Sequence, residues 1–262
     1  MANFLKSLLV SNQNLTINQV IVKKTIVSFF LFFLFIAAAI WSWKWLRKQP
    51  LDAGITGGIQ QPIRDVLNKN ENVFSGIFSN NHLVKEFPLS KAVKKVRVNG
   101  NLGMGDDFDP ETWALYIIKK KGDTLTLNME DIKKLPKTEI VFDFKCIEGW
   151  SQVTHWGGVK FSDFLKAYGL NEEAVMNYVG LNTPDEEYYV GIDMKSAMHP
   201  QTLLCYEMNG KPLPMNQGYP LRIIIPVKYG IKSIKRIGTM FFDNKRPPDY
   251  WFERGYDYYS GL

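Results

Sequence analysis

Cys146 is the residue in this chain best placed to do chemistry. It closes the run Glu139-Ile-Val-Phe-Asp-Phe-Lys-Cys146, in which Ile140, Phe142, Phe144 and Cys146 alternate with Val141, Asp143 and Lys145. A period of two predicts a strand with the thiol on its apolar side. Glu148-Gly149 then breaks the strand. A thiol held at the mouth of a rigid strand suits a soft metal ligand or a nucleophile. The same spacing also suits a packed core cysteine, and the pattern by itself leaves these readings open. The other cysteine is Cys205, and the three histidines are His82, His155 and His199. None of them forms a Cys-x-x-Cys or His-x-x-His pair, so no zinc site is indicated. His155 could serve Cys146 as the base of a cysteine-nucleophile enzyme, although a gap of nine residues does not fix their contact.

Two longer blocks favour the metal. Cys146-Ile-Glu-Gly-Trp-Ser151, followed by Trp156-Gly-Gly-Val159, resembles the molybdenum-ligand segment of the sulfite oxidase superfamily. Leu204-Cys-Tyr-Glu-Met-Asn-Gly-Lys-Pro-Leu213 and Gly218-Tyr-Pro-Leu-Arg222, running on to Lys228-Tyr-Gly-Ile-Lys-Ser-Ile-Lys-Arg236, resemble the same superfamily, especially its bacterial molybdopterin-dependent, methionine sulfoxide reductase-like branch. The likeness covers roughly Val96 to Leu262, and two blocks in the same order weigh more than one short motif.

The resemblance implies a molybdenum-molybdopterin cofactor, with the metal held by two pterin sulfurs and by Cys146. Thiolate suits a metal already bound by sulfur. It implies pterin contacts from Arg222 and from Ser233, Ile234 and Lys235, and a flanking role for Gln217, where relatives often place His or Asn. Asn70 and Asn182 lie near positions where relatives bind the cofactor. Gly230 frees the backbone of the basic loop, and Lys232 and Lys235 are expected to bring charge to the cofactor's phosphate. Glu148 is the residue carried by the reductase branch, and a carboxylate there could relay protons. Tyr256, in Tyr256-Asp-Tyr-Tyr259, resembles a tyrosine-bearing tail that approaches the metal. No arginine lies between Arg97 and Arg222, so a sulfite-clamping site is not expected and a neutral sulfoxide or N-oxide is preferred as substrate. The rival readings are the Cys146/His155 enzyme and a cofactor-free binding module on the same fold.

These residues need a scaffold. The chain has 262 residues, 45% hydrophobic and 14% aromatic, with a net charge of +6. That length and composition can build a sizeable core. No Lys/Arg cluster with interleaved aromatics stands out, so nucleic acid is not an expected partner. Thr25 to Trp43 carries no charge and is long enough to span a bilayer. Trp41, Trp43 and Trp45 resemble an interfacial belt. Bulky Ile40 and Trp41 follow Ala37-Ala-Ala39, which speaks against a cleaved signal. The flanking charges, Lys6, Lys23 and Lys24 against Lys44, Arg47 and Lys48, nearly balance. Lys23-Lys24 stands where an exported cofactor protein would be expected to carry a twin arginine. The catalytic domain is expected on the periplasmic side, with the cytoplasmic side left open by charge.

The expected organisation is a tail over 1–23, a single membrane helix over 24–46, a Gly- and Gln-containing linker over 47–62, and an oxidoreductase domain over 63–262. Within that domain the pattern predicts helices over 63–78, 129–135 and 161–168. It predicts strands over 93–98, 113–117, 124–127, 140–146, 175–179, 188–192, 203–208, 221–227 and 234–242. The fold class is therefore α+β, a mixed strand-rich domain with few short helices. No haem-binding extension is visible. The resemblance thus implies a small-molecule substrate and a separate electron-transfer partner, such as a membrane cytochrome.

Overall fold

The computed structural model describes residues 16–52, 58–79, 81–105 and 107–262. They divide into two compact units, one holding the first helix through Leu51 with Gln60–Pro62, the other Asp52–Ile59 with Ile63–Leu262.

In the first unit, α1 runs Ile17–Arg47 and none of its residues is buried. It begins earlier than the uncharged stretch because Thr16 caps it: the Thr16 hydroxyl accepts from the Gln19 N–H, and the Gln19 side chain accepts from the Thr16 N–H. Residues 1–15, most of the expected tail, lie outside the described residues, as do 53–57 of the expected linker. The uncharged part, Thr25 to Trp43, is about 28 Å long at 1.5 Å per residue, close to a bilayer's hydrocarbon thickness.

α2, Gln61–Ile77, belongs to the second unit from Ile63 onward. Two five-stranded sheets follow. The first joins β1 (Leu115–Ile118), β2 (Thr124–Leu127), β5 (Tyr178–Asn182), β6 (Tyr189–Asp193) and β10 (Thr239–Asp243) in the order β2-β1-β10-β5-β6. Only the β1–β10 pair is parallel. The second joins β3 (Thr138–Lys145), β4 (Ser151–Lys160), β7 (Leu203–Met208), β8 (Lys211–Pro212) and β9 (Arg222–Ile224). Short helices α3 (Met129–Lys133), α4 (Phe161–Ala167), α5 (Asn171–Ala174) and α6 (Met194–Ala197) link the strands. Asn128 and Asp131 form the expected reciprocal cap of α3. Asn209 and Gly210 both take positive φ in the two-residue turn between β7 and β8. The architecture is the expected α+β.

Several sequence expectations shift, and one strand was not read. The strand expected over 221–227 is Arg222–Ile224, and that expected over 234–242 is Thr239–Asp243. The segment 93–98 forms no ladder; it is held against β4 by Val93 N–H to Val153 O and by Arg97 N–H to the Gln152 side chain. The strand expected over 175–179 starts at Tyr178. β4, the longest strand, follows the Cys146 motif directly; its Trp-Gly-Gly hides the alternation. Gly158 is needed there because a Cβ would lie 2.0 Å from the Leu204 carbonyl oxygen of β7.

One core contains Leu115, Ile117, Val179, Leu181, Ile223 and Met240 among its fully buried members. A smaller cluster, Ile140, Phe142, Trp156, Leu203, Cys205, Leu213 and Ile224, underlies the β3–β4 face that leads to Cys146. Each such buried side chain is worth about 1.5–3 kcal/mol in area removed from water.

Candidate active site

The loop from β3 to β4 is a tight reversal. Cys146 N–H donates to Trp150 O at 2.9 Å, Gly149 N–H donates to Cys146 O at 3.1 Å, and Gly149 sits at φ +87°. A positive φ is natural to glycine, so the break read from the sequence is a conformational requirement. Cys146 is 6% exposed and lies just past Phe144 on the face whose β4 partners are Gln152, Thr154 and Trp156. A cleft opens over this face, with Cys146, Phe144, Trp150, Trp156, Tyr188, Trp251 and Tyr256 among its lining. Burial pushes the Cys146 thiol up from its usual range, so the apolar wall alone does not make a thiolate.

Two cations line the same cleft as the thiol. Arg222 is 3% exposed and donates to Gln217 O, Gln217 Oε1 and Ser233 O at 3.0–3.1 Å. Its guanidinium carbon lies 4.7 Å from the centre of the Trp156 ring, while Nε has no partner. Burial lowers it to about 10. Lys235 donates to the carbonyls of Asn99, Gly100 and Asn216 at 2.8–3.3 Å, and burial, then Arg222, push it down to about 7. The ion pairs among the described residues give neither cation a carboxylate. Two desolvated cations facing one cleft without a counter-charge call for an anion. Ser233 Oγ accepts from Ile225 N–H and keeps its own proton to donate.

The expected site residues separate into two groups. Cys146, Glu148, Gln217, Arg222, Ser233, Lys235 and Tyr256 all line the cleft. Glu148 is exposed at the turn, where hydrogen bonds from Asn99 and from Trp150 Nε1 hold its carboxyl below the usual range. Asn70, Asn182, Lys232 and Ile234 do not line it. Asn70 reaches Asp257 at 3.5 Å. Asn182 pairs with Thr239 and Tyr189 inside the first sheet. Ile234 is fully buried in the main core. Lys232 corrects the reading of the basic loop: its ammonium is 2.5 Å from Asp249 and 2.9 Å from Gly191 O, against the Tyr258 ring. It fastens the C-terminal segment. Lys228 does the same with Asp193 and Tyr259 O, and burial lowers it to about 8.

Three functional groups were missed. Asn99 donates to Cys146 Sγ at 3.7 Å and also holds Glu148. Arg97 enters the cleft over Trp150, 4.7 Å from the ring centre, so a sequence span without arginine does not make a cleft without arginine. Arg64 of α2 is buried and holds the Tyr256 backbone, donating to Tyr256 O at 2.9 Å and Phe252 O at 2.6 Å while paired with Asp52 at 2.5 Å. No sequence signal links residues so far apart.

The rival nucleophile pair fails on geometry. His155 pairs with Val141, on the opposite face of the hairpin from Phe142 and Phe144, and its Nε2 meets Glu139 at 3.3 Å. It does not line the cleft.

A molybdenum–pterin group fits these residues. Cys146 offers one soft donor, and among the described residues no three His, Cys, Asp or Glu converge, so a metal there needs a cofactor with its own sulfurs. The orphaned Arg222 Nε and the carboxylate-free Lys235 suit the cofactor's phosphate. The fold and site together fit a metal-cofactor protein whose cleft holds one buried thiol and two desolvated cations.

Residues 102–251 match the family model described as oxidoreductase molybdopterin binding domain. A chain of Azospira oryzae named as a putative protein-methionine-sulfoxide reductase subunit, YedZ1, is 32% identical over 73% of this chain and 73% of its own. The protein-methionine-sulfoxide reductase catalytic subunit MsrP of Campylobacter jejuni is 33% identical over 57% of this chain and 55% of its own. That of Xanthomonas axonopodis pv. citri is 35% identical over 51% and 45%. The chain thus spans about half the length of these two catalytic subunits. It belongs to the molybdopterin-binding oxidoreductase family, and the reading as a molybdenum cofactor-dependent enzyme holds.

Proposed function

We propose that the chain reduces a sulfoxide, of the kind carried by oxidised methionine, at the Cys146 cleft, using electrons from a separate membrane-bound donor. The observation that carries this is the cleft's lining. Trp150, Trp156, Tyr188, Trp251 and Tyr256 line the cleft together with the thiol, and aromatic rings make favourable contacts with thioether sulfur. The names of the relatives agree with it.

Cys146, Arg222, Ser233 and Lys235 would hold the molybdenum cofactor. When bound, the cofactor supplies two-electron oxygen-atom exchange. The sulfur–oxygen bond breaks, and the sulfoxide, two electrons and two protons give a thioether and one water. Both electrons come from the donor. Glu148 lines the cleft from its exposed turn and is the carboxylate placed to pass on protons. The Tyr256 hydroxyl is a candidate donor to the substrate oxygen. The aromatic wall excludes water and seats the thioether product. Arg97 at the cleft leaves room for an anion, but the Glu148 carboxylate beside the metal position opposes a dianion there.

α1 is one helix long and apolar enough to cross a membrane, and we read it as the anchor that keeps the domain beside its electron donor. The periplasmic side is the reading that agrees with the family likeness. Steady-state assays decide the substrate. With a viologen donor, methionine sulfoxide should be reduced; with ferricyanide as acceptor, sulfite should be oxidised poorly. Efficient sulfite oxidation by the purified chain would overturn the proposal.

A further inference from the structure

Part of the polar face of α2 points into the domain: Arg64 and Glu71 are buried, Glu71 pairs with Arg246 at 2.5 Å, and Asn68 accepts from Arg246 at 2.8 Å. Ile63 and Leu67 are half-buried, and Asp65, Lys69 and Asn72 are exposed. Val66, Val73 and Ile77 are 60%, 59% and 67% exposed. At 100° per residue these three fall within an arc of about 40°. Phe74 flanks the stripe, and beyond it a groove lined by Leu83, Lys85, Lys145 and Leu262 continues the apolar surface. A soluble domain does not normally leave such a stripe to water.

Chain geometry says what covers it. Gln61 N–H donates to Pro50 O at 2.8 Å, and Leu51 bridges to Gln60. The first residue of α2 is therefore hydrogen-bonded to a residue only three positions beyond the end of α1. Trp41, Trp43, Trp45, Lys44, Arg47 and Lys48 mark that end of α1 as the level of lipid headgroups. The two ends of the connection meet, so the first residue of α2 lies next to the residues that follow α1. Lys69 flanks the stripe and Lys85 the groove, as basic residues do in helices that lie on anionic membranes.

We infer that α2 is an interfacial helix, its Val66–Val73–Ile77 stripe seated in the headgroup–acyl boundary of the bilayer. This rests on the reading of α1 as a membrane span. The helix would then join two tasks, the lipid on one face and, through Arg64, the cleft residue Tyr256 on the other.

The full-length chain, reconstituted into phosphatidylcholine–phosphatidylglycerol vesicles carrying a lipid-borne diazirine, tests this by photolabelling and peptide mapping. Lipid adducts should appear on residues 66–77 as well as on 25–43. The variant Val73→Asp/Ile77→Asp should lose most adducts on 66–77, keep those on 25–43, and melt at the wild-type temperature in detergent. Adducts confined to 25–43 in the wild type would overturn the interfacial helix and leave the anchor standing. Adducts on 66–77 that persist in the double variant would also overturn it. Absence of adducts from 25–43 would remove the anchor and the inference with it. The wild-type map decides even if the variant folds poorly.

Discussion

At the scale of single residues, the cleft is governed by two cations, Arg222 and Lys235, that are hydrogen-bonded but paired with no carboxylate among the described residues. Lys235 makes the point testable. Burial lowers it to about 7 in the folded protein, against the usual 10.5. Between those values the unfolded chain binds more protons than the folded one, so stability must rise with pH across that window. Thermal melts of the cofactor-free protein should therefore show a melting temperature that climbs from about 7 toward 10.5. Lys235→Met should climb less, the remainder coming from Lys228. Equal climbs would mean that Lys235 is well solvated. In the loaded protein the same substitution should remove a charge-assisted contact of about 1.5–3 kcal/mol and lower cofactor occupancy.

At the scale of elements, the site is assembled by a hairpin and clamped by a helix. The β3–β4 hairpin was half legible. Alternation up to Cys146 and the glycine after it gave β3 and the turn, but β4 lies in Ser151–Lys160, where paired glycines interrupt any period. α2 was legible as a helix and not as a clamp. Its Arg64 meets Tyr256 O across 192 positions, and periodicity carries no information over such a span. The same holds for Lys232 and Asp249: a basic loop reads as a phosphate cradle until the fold brings a carboxylate to it. The clamp predicts a kinetic effect. Asp52→Asn/Arg64→Met removes both charges together, so no lone ion is left buried. Turnover should fall roughly tenfold to a hundredfold as Tyr256 loses its support, with molybdenum content unchanged and amide exchange at Tyr256 accelerated. A fall in turnover that only tracks lost cofactor would make Arg64 a fold residue and nothing more.

At the scale of the whole molecule, the account joins an apolar helix to a molybdopterin-binding domain. The helix was legible because about 20 uncharged residues have few other uses. Its full extent was not, since Thr16 and Gln19 extend it past the charged pair Lys23-Lys24. An anchor of this kind should keep the protein in the membrane fraction through an alkaline carbonate wash; release as a soluble protein with a new N-terminus near Ala39 would show a cleaved signal instead. The central claim remains that Cys146 and the anion cradle hold one molybdenum cofactor. X-ray absorption at the molybdenum edge tests it most directly, on the purified full-length chain and on Cys146→Ser. The account predicts molybdenum with a pterin in both, and one sulfur fewer in the metal's shell in the variant. An identical sulfur shell in the two proteins, or a wild-type chain purified from a cofactor-replete host without molybdenum, would contradict it.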